Sequence, residues 1–304
     1  MKIIRAKVLG FCFGVRRAVD LAEQALEAAG AQSEVGSLRL RRPEALEGSK
    51  GPFTKVYSLG PLIHNEAALS DLQSRGLYTV EESQIDTIPD GSTVIIRAHG
   101  VTPHVTNTLE LKGCRIIDAT CPRVKASQKM VERYTYENDY VIITGDKNHG
   151  EMIGIAGFAG RNFIQIQNAQ EAAELDIPNS DKINVILMSQ TTYSIKEFQK
   201  IQEILSTRFR NLAVMNTICP ATNERQQALL ELCNQVEGVL VIGGKNSANT
   251  KRLYQTAAEN CRHAAHIQSA SDIPPEFYTL QTIGITAGAS TPDSIITAVE
   301  EALN

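Results

Sequence analysis

The sequence predicts an α/β protein of three similar parallel-sheet lobes, in a pseudo-threefold, trefoil arrangement around a central metal site. Three observations predict it. Strands rich in Val and Ile alternate with amphipathic helices along the whole chain, which calls for parallel sheets with right-handed crossovers. Cys12, Cys121 and Cys219 each stand between an apolar run and a helix-like segment, 109 and 98 residues apart. The internal spacings also repeat. Cys121 to Gly145 and Cys219 to Gly243 are both 24 residues, and Gly145 to Gln190 and Gly243 to Gly288 are both 45. A fixed period of this kind marks repeated structural units.

Each copy begins at its cysteine. Apolar runs lead into Gly10-Phe11-Cys12, Asp118-Ala119-Thr120-Cys121-Pro122 and Asn216-Thr217-Ile218-Cys219-Pro220. Pro122 and Pro220 suit the first helical position, where the missing N–H costs nothing. Helices are expected over 15–29, 123–134 and 223–235. A second strand then ends at Gly60, Gly145 and Gly243, with His64, His149 and Ser247 four residues on. A third strand set ends in TVIIRAHG with His99, NVILMSQTT with Thr191 and Thr192, and TIGITAGAS with Ser290. Helices over 195–209 and 292–303 close the second and third copies. The third copy lacks a following strand, so the strand at 2–9 is expected to complete its sheet. The lobes then read as 13–119, 120–217 and 218–304, with 1–12 belonging to the third sheet.

The first copy is longer, with 48 residues from Cys12 to Gly60. The surplus is placed near 32–55, where Ser, Gly, Pro and Arg predict an exposed loop or small subdomain. Its Arg39, Arg41 and Arg42 are ordinary solvated side chains on the plainer reading and a partner contact on the sharper one.

Composition narrows the class. The chain has 304 residues, 42 % of them hydrophobic, and a formal charge of −4, which disfavours a general nucleic-acid binder. No apolar run approaches membrane-spanning length and no export signal is read, so the expectation is a cytoplasmic protein without a membrane partner. Six cysteines in a reducing compartment point to metal or thiol chemistry. None forms a C-x-x-C pair, against zinc ribbons and thioredoxin-type sites.

In sheets of this kind ligands sit beyond the carboxyl ends of the strands, where all these motifs fall. Three lobes facing one axis would bring Cys12, Cys121 and Cys219 together, each at a helix N-terminus that favours thiolate. Three thiolates can hold a 4Fe–4S cluster by three irons and leave the fourth open, or hold one zinc ion with water. Any one cysteine is as readily a small buried apolar residue; three at equivalent positions are not. Cys114, Cys233 and Cys261 lack that equivalence and read as structural. His64, His99, His149, Ser247, Asn249 and Ser290, with the N–H groups of the glycine turns, suit an anion rich in oxygen such as a diphosphate. Gly243-Gly244-Lys245-Asn246 does not have P-loop spacing. Glu151, two residues after His149, reads either as a helix N-terminal carboxylate or as a proton donor with raised pKa, relayed by Thr191 and Thr192.

The motifs GFCFGVRRAV, GPLIHN, RAHG, DATCP, HGE, SQTT, TICPATNERQ, GGKNSANTKRL and TAGASTPD, in this order, resemble the 4-hydroxy-3-methylbut-2-enyl diphosphate reductase family. The resemblance implies one 4Fe–4S cluster per chain on Cys12, Cys121 and Cys219. It implies reductive dehydroxylation of (E)-4-hydroxy-3-methylbut-2-enyl diphosphate to isopentenyl and dimethylallyl diphosphate, the last step of the non-mevalonate isoprenoid pathway. The substrate hydroxyl would meet the open iron and Thr191, and Glu151 would supply protons. His64, His99, His149, Ser247, Asn249 and Ser290 would bind the diphosphate, and ferredoxin or flavodoxin would bring the electrons. Three departures stand out: Ala248 where many members have serine, Gly150 where proline is common, and the length of 32–55. The alternatives are a zinc hydrolase with Glu151 as base, and a non-enzymatic iron or redox sensor.

Overall fold

The computed structural model describes residues 1–38, 55–63, 65–177 and 182–304, with the backbone alone at 31–38 and 67. In chain order, β1 (Lys2–Arg5) and α1 (Phe13–Leu38) come first. The first lobe continues with β2 (Val56–Leu59), α2 (Glu66–Ser74), β3 (Leu77–Val80), β4 (Thr93–Ile96), α3 (Pro103–Leu111) and β5 (Arg115–Asp118). The second holds α4 (Pro122–Tyr136), β6 (Tyr140–Thr144), α5 (Gly150–Ala156), β7 (Phe163–Ile166), α6 (Ala169–Glu174), β8 (Val185–Ser189), α7 (Ile195–Arg208) and β9 (Leu212–Val214). The third holds α8 (Pro220–Cys233), β10 (Gly238–Ile242), α9 (Ala248–Asn260), β11 (His263–Ile267), β12 (Thr282–Ala287) and α10 (Asp293–Leu303).

Three four-stranded sheets form, ordered β3-β2-β4-β5, β7-β6-β8-β9 and β11-β10-β12-β1, and every pairing is parallel. The orders match when β1 takes the place of β5 and β9; Lys2 pairs with Thr282. The repeat extends to register. Tyr140 pairs with Val185 and Gly238 with Ile283, 45 residues apart in both cases.

Each sheet is covered on both faces, as parallel sheets require. The two-residue alternation of a strand sorts its side chains between two cores. In β10, Leu240 and Ile242 pack with Ile296 and Val299 of α10, whereas Val239 and Val241 pack with Leu229 of α8 and Leu253 of α9. In β6, Ile142 joins Phe198 and Leu205 of α7, and Val141 and Ile143 join Val131 of α4. Each such fully buried Leu, Ile or Val contributes on the order of 1.5–3 kcal/mol.

The loop expected near 32–55 is corrected at its start: α1 stays helical to Leu38. Ala31, Gln32 and Glu34 are good helix formers, and Gly30 and Gly36 cost about 1 kcal/mol each without breaking the helix. The rest of that segment, with Arg39, Arg41 and Arg42, lies outside the described residues. Among the described residues, no helix is long and apolar enough to cross a membrane.

Candidate active site

The three cysteines are seated by one backbone device used three times. Two residues beyond the strand that ends each lobe's sheet motif, a carbonyl accepts the N–H of the next lobe's cysteine. Ala98 O takes Cys121 N–H at 2.9 Å, Thr191 O takes Cys219 N–H at 2.8 Å, and Ala289 O takes Cys12 N–H at 3.1 Å. Each cysteine carbonyl then starts a helix, accepting from Arg16, Lys125 and Asn223. The N–H groups of α1, α4 and α8 therefore open toward the thiols. Cys12, Cys121 and Cys219 line a single chamber with His99, His149, Glu151, Thr191, Ser247, Asn249 and Ser290. Cys114, Cys233 and Cys261 are not among its lining residues. Burial beside Cys261 pushes the Cys233 thiol up to about 11.

The donor set suits a metal cluster better than a single ion. Three thiolates on one zinc, each at about 2.3 Å, would lie roughly 3.8 Å apart. Among the described residues, no three Cys, His, Asp or Glu side chains converge on one ion position. A cubane instead takes one thiolate on each of three separate irons. Gly14 shows how closely the cradle is drawn, since a Cβ there would lie 2.7 Å from the Cys121 sulfur. The expected thiolate preference is reversed at Cys121. Burial raises its pKa, more than the N–H groups of Arg123 and Val124 lower it, and Cys12 and Cys219 raise it further. A bound iron–sulfur core would supply the positive charge that favours the Cys121 thiolate against this burial.

Glu151 is buried at 1 % exposure, in the first turn of α5. Its two oxygens accept from Thr191, the backbone N–H at 2.6 Å and the hydroxyl at 2.8 Å. Burial nevertheless raises its pKa above the usual carboxylate range, outweighing both hydrogen bonds and the field of Arg252. Thr191 is fixed from the other side too, because its carbonyl accepts from Cys219 N–H and from the Thr222 hydroxyl at 3.2 Å. The acid and one cysteine are thus held through a single residue.

His149 caps α5, its Nδ1 accepting the Glu151 N–H at 3.2 Å, so the neutral ring carries its proton on Nε2. Its ring meets that of His99 edge to face at 4.9 Å between centroids. Ser247 caps α9, accepting from Thr250 N–H at 3.3 Å. Asn249 presents a buried Nδ2 with no partner among the described residues, the kind of orphaned donor that a ligand anion satisfies. Ser290 is buried at the chamber wall. His64 lies outside the described residues.

Sequence reasoning did not single out Arg225, Arg252 or Thr222. Arg225 lies on the buried stripe of α8 with Thr222, Leu229 and Leu232, a spacing of three and four residues that marks it as inward-facing. Arg252 reaches across from α9 to donate to Thr192 O at 2.5 Å, over the ring of Tyr193. No local pattern announces that contact between lobes.

The LytB protein family matches this chain over residues 43–304. A 4-hydroxy-3-methylbut-2-enyl diphosphate reductase from Treponema denticola is 45 % identical over all of this chain and 99 % of its own length. The protein of that name from Thermoanaerobacter sp. is 38 % identical, over 97 % of this chain and 94 % of its own. The structure of the E-1-hydroxy-2-methyl-but-2-enyl-4-diphosphate reductase from Plasmodium falciparum superposes with a TM-score of 0.85 at 26 % identity, covering 99 % of this chain and 87 % of that one. A second reductase structure, described as the terminal enzyme of the non-mevalonate pathway, gives 0.65 at 35 % identity and covers 100 % and 99 %. With its threefold cysteine seats, its buried acid and a full-length match of this kind, the chain belongs to the LytB family.

Proposed function

We propose that this protein is an oxidoreductase of isoprenoid biosynthesis, which reductively dehydroxylates (E)-4-hydroxy-3-methylbut-2-enyl diphosphate to isopentenyl and dimethylallyl diphosphate. The carrying observation is the chamber itself, where three lobes each present one cysteine beside a buried acid hydrogen-bonded to a hydroxyl. The reaction takes up two electrons and two protons and releases water. When bound by Cys12, Cys121 and Cys219, one 4Fe–4S cluster per chain supplies one-electron steps and a Lewis-acidic iron without a cysteine ligand.

The chain's own residues manage protons and charge. In its protonated form, which burial favours, Glu151 reverses the observed hydrogen bond and donates to Thr191 Oγ1. The Thr191 proton is then released toward the substrate hydroxyl, which departs as water. Delivery of the second proton to one or the other end of the allylic system selects the product. His64, His99, His149, Ser247, Asn249 and Ser290 bind the diphosphate, with the Asn249 amide donating to a phosphoryl oxygen.

The three lobes function as units of 13–119, 120–217 and 218–304, with 1–12 attached to the third. Six cysteines without a disulfide among the described residues support a cytoplasmic setting, with ferredoxin or flavodoxin as electron donor.

Anaerobic purification and turnover test this reading. Brown protein holding about four irons and four sulfides per chain, and forming both diphosphate products from a reduced one-electron donor, is expected. Colourless protein with stoichiometric zinc, or a loaded cluster without turnover, would overturn it.

A further inference from the structure

We propose that Arg225 is the fixed counter-charge of the cysteine-held cluster and raises its reduction potential. This rests on the function proposed above.

Arg225 is only 3 % exposed, yet no ion pair reaches it among the described residues. A buried guanidinium without a carboxylate is costly unless another anion compensates it. Two of its nitrogens donate to backbone carbonyls, Nη1 to Ala221 at 3.1 Å and Nη2 to Gly10 at 2.6 Å. Those carbonyls lie two residues from Cys219 and Cys12. Arg225 therefore spans two of the three cysteine seats, one from each side of the junction between the chain's first turn and its third lobe. Its Nε is buried with no acceptor among the described residues, and the side chain lines the chamber. Burial lowers its pKa, and the fields of Cys12 and Cys219 pull it back up. Glu224 also favours the cation, but it is exposed and makes no ion pair with Arg225.

The missing anion is thus the one the site is built to hold. Thiolate-bound iron–sulfur cores carry negative charge, and each added electron increases it. A cation fixed in a low-dielectric wall stabilises the reduced form more than the oxidised form. Arg225 is a positioning and potential-setting residue, with no role in proton transfer. Its competing role is purely structural, a tie between α8 and the Gly10 turn.

Two substitutions separate charge from tie. Arg225→Gln keeps an amide donor for Gly10 O and loses the charge, whereas Arg225→Lys keeps the charge. Redox titration of the anaerobic holoenzymes, followed by electron paramagnetic resonance, reads the midpoint potential directly. Arg225→Gln is expected to disfavour one-electron reduction by at least about tenfold, ~59 mV toward negative potential, with Arg225→Lys shifted by less than half of that. An unchanged potential in the Gln variant, or equal shifts in both, overturns the proposal. If the Gln variant does not retain a cluster, retention by Lys at near wild-type potential supports it, and loss by both overturns it. Failure of the wild-type chain to hold a cluster would instead count against the proposed function.

Discussion

The second and third lobes share a backbone at the chamber and carry different chemistry on it. The N–H groups of Gly145 and Gly243 donate to Ile166 and Ile267 at the same 2.9 Å. Four residues on, His149 and Ser247 cap α5 and α9. Two residues further, both lobes bury a polar side chain, Glu151 in one and Asn249 in the other. The cysteine-seating residues differ as well, Thr191 in the second lobe and Ala289 in the third. In the second lobe acid meets hydroxyl and a proton path results. In the third the cysteine-seating residue is an alanine without a hydroxyl, and the Asn249 Nδ2, without a partner among the described residues, remains to be satisfied by a ligand. The main chain, repeated three times, builds the cysteine triad. Side chains that break the repeat divide the labour between proton donation and anion binding.

Making the second lobe resemble the third is the harshest test of that division. Glu151→Gln turns the acid into the amide of its counterpart while keeping its shape and its acceptor for Thr191 N–H. Turnover is expected to fall by about 10²- to 10⁴-fold, the usual contribution of a general acid, with the cluster spectrum and substrate binding retained. Activity within a factor of a few of wild type would remove Glu151 as the proton source. Thr191→Val probes the partner. It keeps the volume and the backbone seat of Cys219 but deletes the hydroxyl that contacts Glu151 at 2.8 Å. A hydrogen bond to a charged or reacting group is worth about 1.5–3 kcal/mol, so kcat should fall roughly ten- to a hundredfold. Equal kcat in the two proteins would show that protons bypass Thr191.

These positions differ in how far the sequence announces them. The strands, the helices after each cysteine and the threefold period were legible because hydrophobic alternation and exact spacing are local, repeated signals. Cys121 and Cys219 could be related by counting alone. The close packing of Gly14 against the Cys121 sulfur could not, because it depends on how the lobes close around an axis. Arg225 was legible in principle, as a charged residue on the apolar stripe of α8. Arg252 was not, since its acceptor, Thr192, lies 60 residues away in another lobe. The continuation of α1 to Leu38 was hidden by glycines that usually punctuate loops but here sit inside a helix.

The third lobe's side of the comparison is sharpened by Asn249→Ala. An orphaned donor exchanged for a methyl group removes a ligand contact without stranding a protein group. The expected effect is a rise in KM of about tenfold with kcat little changed, because the diphosphate is bound alike in ground and transition states. A loss confined to kcat would place Asn249 with the proton machinery and erase the distinction between the lobes.

The smallest effect is on stability, and it tests whether burial favours the protonated form of the second lobe's acid. Burial raises the folded-state pKa of Glu151 above its ordinary value of 4.5. Below that value the folded and unfolded chains both bind the proton, and the group imposes no ionisation penalty. As pH rises past it, the unfolded chain releases its proton while the folded chain retains it. Stability is therefore lost progressively with rising pH until the folded-state pKa is passed, and the loss is constant above that. Glu151→Gln cannot titrate and escapes this loss. Its melting temperature relative to wild type should climb as pH rises above the ordinary carboxylate range and level off only once the folded-state pKa is passed, all other carboxylates cancelling in the difference. A difference that stays flat or falls over that range would mean that the two Thr191 hydrogen bonds, rather than burial, dominate. Glu151 would then be an ordinary carboxylate, and the contrast with Asn249 would lose its chemical basis.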